Sequence, residues 1–135
     1  MILVRGLPGS GKSTVARLMV GYDYFNYETD KFWMVDGEYK FDITRIAEAH
    51  QWCQDEVRKC LTNGFSAIVS NTFTTKREMQ PYFDMAREFG CEPQVVLCQG
   101  NFGNIHNVPY EVIERMAARF EYDIGELYGQ SERVL

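Results

Sequence analysis

Short apolar runs alternate with amphipathic stretches along the 135 residues. Ile2-Leu3-Val4 opens the series as a strand, Ile2 to Arg5, and Val15, Ala16, Leu18 and Met19 follow at helical spacing within 12–19. Tyr24-Phe25-Asn26-Tyr27 reads as a second, weakly marked strand. Asp36-Gly37 is a turn pair between Trp33-Met34-Val35 and Tyr39-Lys40-Phe41. Asp42 then caps a long helix with apolar or small residues at Ile43, Ile46, Ala47, Cys53, Val57, Cys60 and Leu61, closed by Asn63-Gly64. A strand over 65–70 centres on Ala67-Ile68-Val69. Thr75 and Glu78 next form a capping box for a helix that buries Met79, Tyr82, Phe83 and Ala86 and stops at Gly90. Residues 94–98 make a further strand. Pro109 at a first helical position starts a last helix with Val112, Ile113, Met116 and Phe120 inward. This alternation predicts an α/β fold of three layers, α/β/α, around a parallel sheet of about four strands. Chemistry in such a sheet collects at the C-terminal ends of the strands.

The stretch between the first strand and first helix carries the sharpest signal. Gly6-Leu7-Pro8-Gly9-Ser10-Gly11-Lys12-Ser13-Thr14 fits G-x-x-x-x-G-K-[ST], the P-loop, in the strand-to-helix setting that gives the pattern its meaning. Glycines let the backbone wrap so that several N–H groups face one centre, and the helix N-terminus adds partial positive charge. The pattern therefore predicts a P-loop NTPase fold in which Gly6, Pro8, Gly9, Ser10, Gly11, Lys12, Ser13 and Thr14 surround the phosphates of ATP. Lys12 would reach the β- and γ-phosphates, and the Ser13 hydroxyl would bind Mg²⁺.

Composition narrows the setting. The length fits one domain over 1–135, and a hydrophobic share of 45% is ordinary for a globular chain. No apolar stretch approaches a membrane span, and the first strand begins at once, which leads us to expect a cytoplasmic protein without a membrane partner. Cys53, Cys60, Cys91 and Cys98 form no C-x-x-C pair and read as reduced core thiols. A net charge of -5 argues against coating a nucleic-acid backbone, though not against gripping one strand end.

A P-loop alone names no reaction. The base-recognition motif N-K-x-D of G proteins is missing, and the apolar strand at Ala67-Ile68-Val69 ends in Ser70-Asn71 with no acid for Mg²⁺. An acid does follow the second strand, at Thr29-Asp30. In small kinases an acid there accepts the proton of an acceptor hydroxyl or orients the metal. As a helix cap Asp30 could serve at the same time. Glu28 and Thr29 read as structural, and Asp36 as a turn residue. His50 on the long helix reads as a packed core histidine, and His106 as a hydrogen-bonding residue. Trp33, Tyr39, Phe41 and Trp52 fit core packing, with base stacking as the alternative, foremost for Trp33.

Taken in order, GLPGSGKST, TDKFW, KFDITRIAEAHQWCQ, IVSNTFT and IHNVPYEVIERM resemble the small P-loop kinases of the polynucleotide-kinase and zeta-toxin group. Within it, the chain is most similar to the AAA-domain branch that resembles the kinase domain of bacteriophage polynucleotide kinase. The resemblance implies that Asp30 is the general base and that Asn71-Thr72 occupies a strand-end motif usually carrying an aspartate. It places Phe73 at a polar position, and Trp33 near an arginine that contacts nucleic acid. The family's longer lid with its arginines is reduced here to 99–107, and no Lys or Arg occurs from 94 to 108. Arg115, Arg119, Lys76 and Arg77 are the cations that could compensate, or else ordinary surface charges.

Two functions follow. One is an ATP- and Mg²⁺-dependent kinase acting on a hydroxyl of a nucleotide, a polynucleotide 5′ end or a small metabolite, with Lys12 and Asp30 catalytic and Ser13 and Asp30 on the metal. The other is a nucleotide-binding regulatory module with weak hydrolysis.

Overall fold

The computed structural model describes residues 1–103 and 108–129. Its sheet has four parallel strands, β1 (Ile2–Arg5), β2 (Tyr24–Tyr27), β5 (Ser66–Ser70) and β6 (Gln94–Leu97), in the order β2-β5-β1-β6. A two-residue-per-strand hairpin, β3 (Met34–Val35) and β4 (Glu38–Tyr39), stands apart from it. The helices are α1 (Lys12–Met19), α2 (Ile46–Thr62), α3 (Lys76–Glu88) and α4 (Tyr110–Arg119).

Strand periodicity divides the core. Leu3, Ala67 and Val69 point to one face and join Cys53, Val57, Met79 and Phe83 from α2 and α3. Val4 and Ile68 point to the other face and meet Ala16 of α1. All of these residues are fully buried, and each large aliphatic contributes about 1.5–3 kcal/mol by leaving water. Helices on both faces explain why β1 and β5 read as continuous apolar runs rather than alternating ones.

Local chemistry sets the element ends. Asn63 caps α2 and Gly64 follows at φ 82°. Asp36 at φ 52° and Gly37 at φ 81° make the left-handed pair that a tight hairpin requires. Thr75 and Glu78 exchange both capping bonds at the start of α3. Thr75→Ala should cost about 1 kcal/mol, read in a urea titration as a lower midpoint at unchanged slope.

Several expectations need correction. Asp42 caps a 3₁₀ turn, Ile43–Arg45, rather than α2 itself. Ile43 and Ile46 consequently lie exposed, and the buried stripe of α2 is Ala49, Cys53, Val57 and Cys60. Pro109 is the cap before α4, at ψ 141°, with its carbonyl receiving the Val112 and Ile113 amides. Val112, Ile113 and Met116 are only half-buried, whereas Phe120 is buried. Cys53, Cys60 and Cys98 are buried free thiols, and Cys91 is half-buried.

Candidate active site

At the C-terminal edge of the sheet the chain leaves β1 through 6–14 and enters α1. Gly11, at φ 97°, caps α1 without a side-chain bond, and no acid stands in the first turn. The leading amides of α1 are thus left to an outside anion. Gly9 sits at φ 80°. Gly6 admits no side chain, since a Cβ would lie 2.4 Å from the Cys98 carbonyl oxygen. Ser10 is buried with its hydroxyl unpartnered, Pro8 is half-buried and Thr14 is exposed. Lys12 Nζ donates to the Leu7 carbonyl at 3.0 Å, bridging the loop across its own mouth. Burial lowers the Lys12 pKa, while the Asp30 carboxylate, ahead of Cys98 and Glu28, pulls it back up.

Ser13 Oγ donates to Glu28 Oε1 at 2.9 Å. Glu28 immediately follows β2, so the strand order carries its carboxylate to the start of α1. Hydroxyl and carboxylate oxygens are the hard donors that suit Mg²⁺, and this pair could hold the ion expected from the P-loop. From the sequence Glu28 reads as structural; no periodic signal marks it, and only the fold joins it to Ser13.

Asp30 is exposed in the 3₁₀ turn Thr29–Trp33. The Tyr39 hydroxyl from the hairpin donates to its carboxylate. Burial and that carboxylate together push the phenol up to about 12, which keeps it a proton donor at neutral pH. Asn71 fixes the turn from the other side. Its Oδ1 accepts the Thr29 amide at 2.8 Å, and its own amide donates to Val4 O at 3.2 Å. Asn71 thus has a structural part at the strand end, holding the turn that carries Asp30.

Behind the loop, Arg5 is 1% exposed. Its guanidinium donates to Phe73 O from Nε at 3.0 Å and Nη2 at 2.7 Å, and to Thr74 O at 3.3 Å. It also stacks 4.2 Å from the Phe120 ring centre. Phe73 itself has φ 45°, a left-handed conformation unusual for a bulky residue.

The remaining sequence candidates separate. Trp33 is 3% exposed and packs edge-on against Phe32 and Phe41, so it is core and offers no face for a base. Phe41 is exposed and Trp52 half-buried. His50 is exposed, with Nδ1 3.4 Å from Thr29 Oγ1, and is no core histidine. Lys76 pairs with Glu126, and Arg119 Nε donates to Thr74 Oγ1. His106 lies outside the described residues. Of the short bridge, 99–103 lies directly on the P-loop. The Phe102 amide donates to Gly9 O at 2.8 Å and the Gly100 amide to Ser10 O at 3.2 Å. No described helix is long and apolar enough to cross a membrane.

The AAA domain family matches residues 1–101. NEDD4-binding protein 2 of Homo sapiens is 29% identical over 137 residues, covering 90% of this chain and 8% of that protein. Uncharacterized protein PM0531 of Pasteurella multocida (strain Pm70) is 28% identical, covering 86% of this chain and 73% of the relative. Among solved structures, a chain of the Pnkp1/Rnl/Hen1 RNA repair complex superposes with TM-score 0.67 at 20% identity, over 93% of this chain and 44% of that one. The crystal structure of APE1195 gives TM-score 0.54 at 19% identity, over 98% and 73%. The chain thus spans less than half of the RNA-repair chain and a small part of the human protein. It belongs to the AAA domain family, and it shares its fold with the chain of the RNA repair complex.

Proposed function

We propose that the chain is an ATP- and Mg²⁺-dependent phosphotransferase that moves the γ-phosphoryl group to a hydroxyl acceptor. One observation carries the reading. The uncapped start of α1, Lys12, the Ser13–Glu28 pair and Asp30 all meet at one edge of the sheet.

Loop amides and Lys12 would bind the β- and γ-phosphates, the ammonium exchanging Leu7 O for phosphate oxygen. Ser13 and Glu28 would hold Mg²⁺, with Asp30 as a further carboxylate for it; when bound, the ion would supply charge neutralisation at the phosphates. Asp30 would accept the proton of the acceptor hydroxyl, while Tyr39 and Asn71 fix the turn that carries it. The RNA repair complex named above favours a nucleic-acid end or nucleotide as acceptor over a small metabolite.

A second reading rests on the segment 99–103. It is hydrogen-bonded to the P-loop, and 94–108 holds no lysine or arginine to cross the phosphates. On this reading nucleotide binding changes partner affinity, and chemistry is slow.

The experiment is transfer from γ-labelled ATP with Mg²⁺ to separate pools of 5′-hydroxyl DNA and RNA, nucleosides, nucleotides and sugars, with Lys12→Ala alongside. Label entering one pool and lost in Lys12→Ala supports the kinase. No label, with ATP binding intact by calorimetry, supports the module.

A further inference from the structure

The two outer strands of the parallel sheet, β2 and β6, present their free edges differently. At the β2 edge the outward groups are taken. Tyr24 and Gly21 exchange backbone bonds of 3.4 Å, and Lys31 Nζ donates to Asn26 O at 2.9 Å. A lysine and a local turn are ordinary guards against a stray strand. The β6 edge has no such guard among the described residues. Gln94 N donates to Met1 O at 3.0 Å and Cys98 N to Arg5 O at 2.8 Å, so alternate residues face β1. The amides and carbonyls of Val95 and Leu97 therefore face outward, where no described strand meets them.

The open edge is apolar and carries no charge. Val95 packs on the face of Leu3 and Val96 on that of Val4, both half-buried, and Leu97 is 38% exposed. No Asp, Glu, Lys or Arg occurs anywhere from 94 to 108. Pairing with β1 runs through β6 without a bulge. A strand that docks here must therefore be uncharged and apolar on both faces. β6 itself meets both conditions. Set antiparallel to a second β6 with Val96 opposite Val96, the Val95 and Leu97 of one copy face the Leu97 and Val95 of the other. The outward groups then exchange bonds, and every facing pair is aliphatic. Pro93, with no amide hydrogen, ends the ladder on either side of the twofold axis.

We propose that β6 is a self-association edge: two copies of this chain pair β6 to β6 about a twofold axis and continue one sheet across both. Because the paired strands run antiparallel, the two phosphate loops come to opposite edges of the joined sheet, and both stay open. The proposal stands apart from the phosphotransferase reading. Four residues a side is a small contact beside a standard interface, so the dimer should dissociate at micromolar concentrations or above.

The test is sedimentation equilibrium of the full chain over about 1 μM to 1 mM. We expect a reversible monomer–dimer equilibrium, weakened about tenfold or more in Leu97→Lys, which sets a charge into each Val95–Leu97 pair. Val95→Pro should weaken it as much, by removing amides that β1 does not use. Leu97 is exposed, so Leu97→Lys keeps the fold and decides the matter should Val95→Pro unfold. Oxidation reads the geometry. Facing Cα atoms of a pair that exchanges no bonds lie about 4.5 Å apart, within disulfide reach, so Val96→Cys should give a covalent dimer. Val95→Cys should not, because its counterpart lies two residues along the partner strand. The wild-type chain, with its own four cysteines, sets the background. A monomer throughout, a dimer indifferent to Leu97→Lys, or no more cross-linking in Val96→Cys than in Val95→Cys would each overturn the edge.

Discussion

Asp30→Asn is expected to lower the rate of phosphoryl transfer about 10²–10⁴-fold, the usual weight of a positioned general base, while ATP affinity stays nearly unchanged. Asparagine has the shape of aspartate and keeps an oxygen for the Tyr39 hydroxyl, so the 3₁₀ turn and the Thr29 bond to Asn71 persist. What it removes is the site for a proton. It also removes the anion that most supports the Lys12 charge, but the phosphates of bound ATP supply that support in its place. Single-turnover transfer beside ATP calorimetry separates the effects. Equal losses of transfer and ATP affinity would contradict the base assignment, because a base acts in the transition state and not on the bound nucleotide.

The largest loss of stability is expected at Arg5. Its three hydrogen bonds run from a charged donor to carbonyls that have no access to water, and its plane lies on Phe120. Arg5→Ala should cost about 3 kcal/mol, since hydrogen bonds to charged groups are worth ~1.5–3 kcal/mol and Phe73 O is left buried without its donor, while Thr74 O keeps the Glu121 amide. For a chain of this size that is roughly a 10 °C fall in Tm. Arg5→Lys should recover little, because an ammonium cannot fork onto Phe73 O while also reaching Thr74 O. Recovery to the wild-type midpoint would refute the forked geometry as the source. Function should suffer too. Phe73 at φ 45° is held partly by this guanidinium, and a relaxed Phe73 would drag Asn71 and Thr72, and with them the turn bearing Asp30.

Most of the fold is legible where local chemistry and periodicity agree. Asp36-Gly37, Asn63-Gly64 and the Thr75–Glu78 box each mark an element end by a backbone demand that few residues satisfy. The apolar phase of α2 is misleading at Ile43 and Ile46 because a 3₁₀ turn precedes the helix and breaks the 3.6-residue period. His50 follows the buried Ala49 in sequence, but helical rotation carries it off the buried stripe.

The phosphate loop was legible from its own letters, and its partners were not. Glu28 reaches Ser13 because β2 and β1 run parallel in one sheet, so the end of β2 and the start of α1 share one edge. Arg5 looks like a polar strand end. Only the left-handed Phe73, whose carbonyl faces inward, shows why a guanidinium is buried there.

The contact between Gly9 and Gly103 carries a consequence for how this loop tolerates change. A Cβ on Gly9 would come within 2.1 Å of the Gly103 carbonyl oxygen. The phosphate loop is thus built against a second stretch of backbone far away in the chain, and the two must be inherited together. Transplanting 6–14 into a related scaffold, or lengthening 99–103 to restore a lid, alters the same surface from opposite sides. A change on either side calls for its match on the other.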